Sequence, residues 1–454
     1  MAIQAPPSRT RQQCPVHSVS LTEIVPDYDG QWQGIIAASD GACYFGSSTH
    51  SYRHGAGFFR FDPRSKKLET LAEDMTAVCG EDLSKTPPQG KIHSPIVESS
   101  GWLYFTTHMA NYWDEAKNAY TGAHVIGYEM ATRKFRDFGT IRPRYTIYSA
   151  INVDPARKML YVFLAPFAPE DEANDGCHLY RIDAATGKKQ DLGKVTDRRY
   201  TGSFWFHVDH KGDCWFTYWQ MHGHCPEGGH GNLFRAVADT GRIERMEHVL
   251  PDCRLAPDGD PVSEAEFDAR SWSWAESLPG RRSCLFAMGD YSGGDERLWI
   301  FDPSKEVKSG GAFRPIGFIG PTFLSVALGE NRVYYIQRGD LVSARGWSAE
   351  DARDMDPATS PPEDLHLKSI SLDPKDQGSV VDHGKLVDQE GRVARHIDTL
   401  AADQMGRVYM VGSWSVLPGD VVTQQLDWEK PVREFHPVKR AQLFAFADVS
   451  KDVG

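Results

Sequence analysis

The chain of 454 residues has no apolar run approaching the roughly 18 residues a membrane-spanning helix needs, so no such helix is expected. Its first residues, 1–9, lack the apolar core of a secretion signal, and a cytoplasmic protein is the expectation. Paired CxxC spacing is absent as well. The eight cysteines are scattered, which points to free thiols rather than a disulfide framework. No GxSxG elbow and no HExxH helix occurs, and no Gly-rich stretch runs into Lys-Ser/Thr. A hydrolase elbow, a zincin and a phosphate loop are thereby removed. Positive charge is in deficit, 50 Lys and Arg against 62 Asp and Glu, for a net charge of −12. Nucleic acid and an anionic membrane are therefore poor partners. An anionic small molecule or oligosaccharide remains a fit only where Arg and His gather locally.

What the chain does have is glycine, proline and aromatics: 41 Gly, 27 Pro, and 11% Phe, Trp and Tyr. These residues suit many short strands joined by turns. One pattern recurs: a strand, a Gly or Asn turn, an aromatic strand, a polar loop, then an aromatic strand with an Asp and a turn at its end. Copies run over 34–63, 92–129, 150–187, 203–241, 271–303, 322–373 and 397–448. Seven such units predict an all-β fold, a seven-bladed β-propeller of four-stranded antiparallel blades. Residues 19–24 are expected to supply the outer strand of the last blade and close the ring. Residues 1–16 read as a loose arm, 17–454 as a single domain, and 340–365 as a polar insertion.

The strongest local signal lies in the second unit. The stretch 92–97 has strand character, 99–101 is a turn, and 102–107 is aromatic and β-branched. The start of one hairpin strand lies beside the end of the other, so His93 and His108 should meet on one rim. Two imidazoles there suit acid–base chemistry or metal binding. The starts and ends of strands in the other units bring Tyr148, Trp205, Trp272, Arg270 and Arg338 to the same face, and a loop adds Tyr112. Aromatic faces stack on sugars and arginines hold carboxylates. His207, His222, His224 and His230, with Cys225 among them, have the density of metal ligands. Zinc is the first guess for that cluster, calcium the other divalent ion considered.

The motif formed by residues 89–94, then 103–108, with Tyr148 in the next unit, resembles the seven-bladed β-propeller polysaccharide lyases, which include short ulvan lyases and rhamnose–glucuronate lyases. That resemblance implies β-elimination at a uronate. His108 and Tyr148 would serve as base and acid, His93 would orient or neutralise, and Arg270 and Arg338 would clamp the carboxylate. Trp205, Trp272 and Tyr112 would contact the glycan. Two other readings stay open: a metal-dependent hydrolase, lactonase or isomerase using the 207–230 histidines, and a non-catalytic propeller binding glycans or proteins.

Overall fold

A computed structural model describes residues 13–147, 150–166, 176–196, 201–202, 205–217, 219–220, 231–251, 271–289, 297–320, 322, 325–336, 365–426 and 433–452. The described residues are almost entirely strand, arranged as a propeller of antiparallel sheets with a few short helical turns. The first sheet is typical. Its strands Ile35–Ala37, Cys43–Ser47, Gly57–Asp62 and Lys67–Ala72 pair in chain order, as a meander does.

Burial explains why these strands are so apolar. Cys43–Ser47 is buried along its whole length, whereas Lys67–Ala72 alternates and is half-exposed. Successive side chains of a strand face opposite ways, and here both faces are covered. Tyr44 joins Leu103, Phe105 and Tyr128 of the second repeat, while Phe45 joins Tyr409, Val411 and Phe444 of the seventh. The rings of Phe45 and Phe444 stack 4.5 Å apart. Each large side chain buried in this way contributes about 1.5–3 kcal/mol, so the layers between sheets form the core.

Hydrogen bonding does not separate seven sheets, as the sequence led one to expect. Among the described residues five larger sheets stand alone, four of four strands and one of five, beside two two-stranded ribbons, while the sixth and seventh repeats share one eight-stranded sheet. The joint is the strand Gln13–Ser20. Gln13–Val16 pairs in parallel with Lys385–Asp388, and His17–Ser20 then pairs antiparallel with Leu443–Phe446. An early segment thus stitches the two final repeats together and covers both of their open edges. The strand begins at Gln13, inside the stretch expected to be a loose arm; residues 1–12 and most of the 340–365 insertion lie outside the described residues.

Two features of the second repeat set where its histidines sit. The hairpin turn is tight because Ser100 and Gly101 both take left-handed backbone, with φ of 51° and 81°; a twisted two-residue hairpin turn needs this. Beyond it the ladder pairs Val97 with Tyr104, Glu98 with Leu103 and Ser99 with Trp102. Continued without a break, that register would set His93 opposite His108. It breaks at Pro95, which has no N–H to give, and Ser94 Oγ takes the Thr106 N–H instead, at 2.9 Å. When pairing resumes, Lys91 is the residue opposite His108.

Candidate active site

That register change builds the site. Lys91 and His108 exchange backbone hydrogen bonds of 3.1 and 2.9 Å, which brings the lysine side chain into a pocket of aromatic rings. The Lys91 ammonium donates to the Tyr112 hydroxyl at 2.7 Å and lies 4.1 Å from the centre of the tyrosine ring. Tyr112 oxygen also meets His108 Nε2 at 3.0 Å, and His108 Nδ1 bonds Thr146 Oγ1. His93 and His108 do come together, their rings edge to face at 5.8 Å, as the hairpin argument expected. On its other side His93 stacks on Trp32, the ring centres 5.3 Å apart and nearly parallel. Trp32 in turn meets His50 edge-on, and His50 Nδ1 bonds both carboxylate oxygens of Asp29.

Burial sets the charge state of this cluster. Lys91 is 1% exposed, His93 4% and His108 0%. Removing a cation from water disfavours the charged form. Burial pushes the Lys91 ammonium down to about 7, against the pull of Asp29. It pushes His93 to about 3, with Lys91 and His50 adding repulsion. His108 is driven well below its ordinary value by burial first and then by Lys91, His93 and His50. His50 is lowered by burial, against the opposing pull of Asp29. The result is a set of neutral imidazoles around one lysine that titrates near neutrality. A perturbed group of this kind, in contact with a phenol, is suited to proton transfer.

The cluster is held from behind. Gln31 Nε2 donates to the Ile92 carbonyl at 2.9 Å and its Oε1 accepts from Ser48, while its backbone N–H donates to Asp398. Asp398 also pairs with His396 at 3.0 Å. Gln33, beside Trp32, has a left-handed φ of 63°, and neither end of its buried amide has a partner among the described residues.

Other expected site residues fall elsewhere. Trp272 is 1% exposed and packed against Phe286 and Phe301, so it is a core residue with no face for a sugar. A register shift between Trp272 and Trp274 sends the two rings into different layers between sheets. Trp205 is partly buried, its indole N–H donating to the Ser273 carbonyl at 2.9 Å and its ring set edge-on to Trp274. His207 is fully buried beside Phe301, and its Nδ1 bonds Ser277 Oγ at 2.9 Å. Burial lowers it to about 3. Tyr148, Arg270, Arg338, His222, His224 and His230 lie outside the described residues.

Among the described residues, one group of donor atoms is close enough for a divalent metal, and it is not at 207–230. Cys79, His124 and Asp137 offer a thiol, an imidazole nitrogen and a carboxylate oxygen, all within 4.8 Å of one another. No motif marks these residues in the sequence, because they come from three separate segments. Tyr112 was expected at this face, as a glycan contact; Lys91 lies inside the histidine motif, and only the register change hid its role.

No protein-family model and no curated protein matches the chain. Solved structures do. An oligogalacturonate lyase in complex with manganese shares 11% identity at a TM-score of 0.50, over 96% of this chain and 98% of that one. The GH74 enzyme of Niastella koreensis shares 12% identity at 0.50, over 87% of this chain and 52% of its own length. At such identities the likeness establishes the propeller fold and nothing finer.

Proposed function

We propose that this protein cleaves a uronate-bearing oligosaccharide by β-elimination, using the Lys91–Tyr112–His108 cluster of the second repeat. The observation that carries the reading is a phenol oxygen held between a lysine that titrates near neutrality and a neutral imidazole. Tyr112 is the least buried member of the three, so it is the group that meets the substrate. The manganese-bound protein of like fold is, by its name, a lyase of oligogalacturonate, which agrees in reaction class and in the anionic sugar.

The step needs a base for the proton on C5, beside the uronate carboxylate. Tyr112 oxygen takes that proton as its own passes to the Lys91 amine. The C4–O bond breaks, a C4=C5 double bond forms, and the departing oxygen takes its proton back through the same phenol. A base of pKa near the working pH gives the most effective transfer, on the order of 10²–10⁴-fold. His108, kept neutral, donates from Nε2 to the phenol oxygen and steadies it as charge develops, while Thr146 holds the other ring nitrogen. Arg440 would join Arg270 and Arg338 in clamping the carboxylate. Its charge reaches His50, and its buried Nε has no partner among the described residues.

The test is incubation with a panel of uronate oligosaccharides, followed by ultraviolet absorbance and product mass. Fragments bearing an unsaturated uronate, with no water added, and their loss in Tyr112→Phe are the expected result. Products that have gained water, or full activity in Tyr112→Phe, would refute the assignment.

A further inference from the structure

The outer side of the second repeat carries a second site, independent of the lyase reading. We propose that Cys79, His124 and Asp137 bind a zinc ion, with Glu81 fixing the histidine behind it. The three ligands come from three places. Cys79 caps the short helix Met75–Val78, His124 opens the strand His124–Glu129, and Asp137 lies on the paired strand Lys134–Thr140. The ladder pairs Ile126 with Asp137 and slips between His124 and Ile126, so that His124 stands opposite Thr140. Even so Asp137 Oδ2 reaches His124 Nδ1 at 2.8 Å.

A thiolate, an imidazole and a carboxylate converging from three directions is the donor set zinc favours, with bonds of about 2.0–2.3 Å. The donor atoms already lie within 4.8 Å of one another. The site is also supported from behind. His124 Nε2 faces Glu81 Oε1 at 3.0 Å, so the carboxylate holds that nitrogen as N–H and leaves Nδ1 for the metal. Metal-binding histidines commonly have such a partner. Glu81 is in turn fixed by Gln89 Nε2 at 3.0 Å and by the Thr121 hydroxyl. Cys79 is free of any disulfide and partly exposed, and Asp137 is exposed, which gives the ion a way in. Without metal the two ring nitrogens of His124 bond Asp137 and Glu81, at 2.8 and 3.0 Å.

The site has a reach inward. Gln89 Oε1 accepts from Thr107 and Tyr120, and Thr107 immediately precedes His108.

The experiment uses the full chain, stripped with chelator and titrated with cobalt(II). The expected result is one equivalent bound tightly, with a thiolate-to-cobalt charge-transfer band in the near ultraviolet and the intense visible bands of a tetrahedral ion, all erased by zinc. Cys79→Ser should remove the charge-transfer band, and the near-isosteric Asp137→Asn, with its fold checked by circular dichroism, should weaken binding at least tenfold. Cys225→Ser should leave the band in place. Absence of the band in the parent chain, or its survival unchanged in Cys79→Ser and Asp137→Asn, would overturn the proposal.

Discussion

One repeat holds histidines in two opposite electrical states. At its inner rim His93 and His108 are stripped of water, face Lys91 rather than a carboxylate, and are pushed far below the ordinary imidazole range. At its outer edge His124 is also largely buried, and burial is again the largest single influence. There it is outweighed by the hydrogen bonds His124 makes to Asp137, Cys79 and Glu81 together, and the imidazolium is held up to about 11. The two regions differ in what the buried nitrogen finds: a hydroxyl beside a lysine, or a pair of carboxylates. The lesson is that burial sets the cost of charge and the partner decides whether it is met. An imidazole kept neutral can donate to or accept from a reacting phenol; one locked between carboxylates can hold strands or exchange its proton for a metal.

The contrast breaks most sharply under mutation. Tyr112→Phe and Lys91→Met should each lower kcat on the order of 10²–10⁴-fold with little change in thermal midpoint, whereas His124→Gln should leave kcat alone and destabilise the fold by about 3 kcal/mol, the cost of a buried pair losing one partner. Parallel kinetics and calorimetry on the three variants would check this. Loss of kcat in His124→Gln without loss of stability would erase the distinction.

The rate–pH profile sharpens the inner half of the comparison. Lys91 must be an amine to receive the phenol proton, so kcat/KM should rise with pH and level off above about 7. Lys91→Arg, whose guanidinium stays charged, should abolish the activity across the range. A profile that falls through neutrality would show that the ammonium is the active form.

Acid stability gives the smallest effect. His93 binds its proton near pH 6.5 when unfolded but only near about 3 in the fold. Between those values the unfolded chain holds the extra proton, so stability is lost as pH falls from 6.5 toward 3. In His93→Asn the slope of thermal midpoint against pH should flatten over that window.

How much of the molecule was legible in the sequence depends on the physics of each part. Strand repeats were readable because apolar alternation and turn residues are local signals; an early closing strand was expected at 19–24, but the strand is Gln13–Ser20 and 21–24 form a turn. That the last two repeats would share one sheet was not readable, since it depends on Gln13–Val16 pairing in parallel with a strand more than three hundred residues away. The meeting of His93 and His108 was readable from the hairpin. Lys91 was hidden by the break in register at Pro95, and Trp272 was misread because a slip between it and Trp274 decides which ring enters which layer. The Cys79–His124–Asp137 group carries no spacing signal whatever, since tertiary folding alone assembles it.

The central claim is that the inner rim removes a proton from carbon. The most direct test is turnover of a uronate oligosaccharide deuterated at C5, followed by mass spectrometry of the product. The account predicts slowed turnover, an unsaturated product that has lost its deuterium, and no added water. A product that keeps the deuterium and gains water would contradict it.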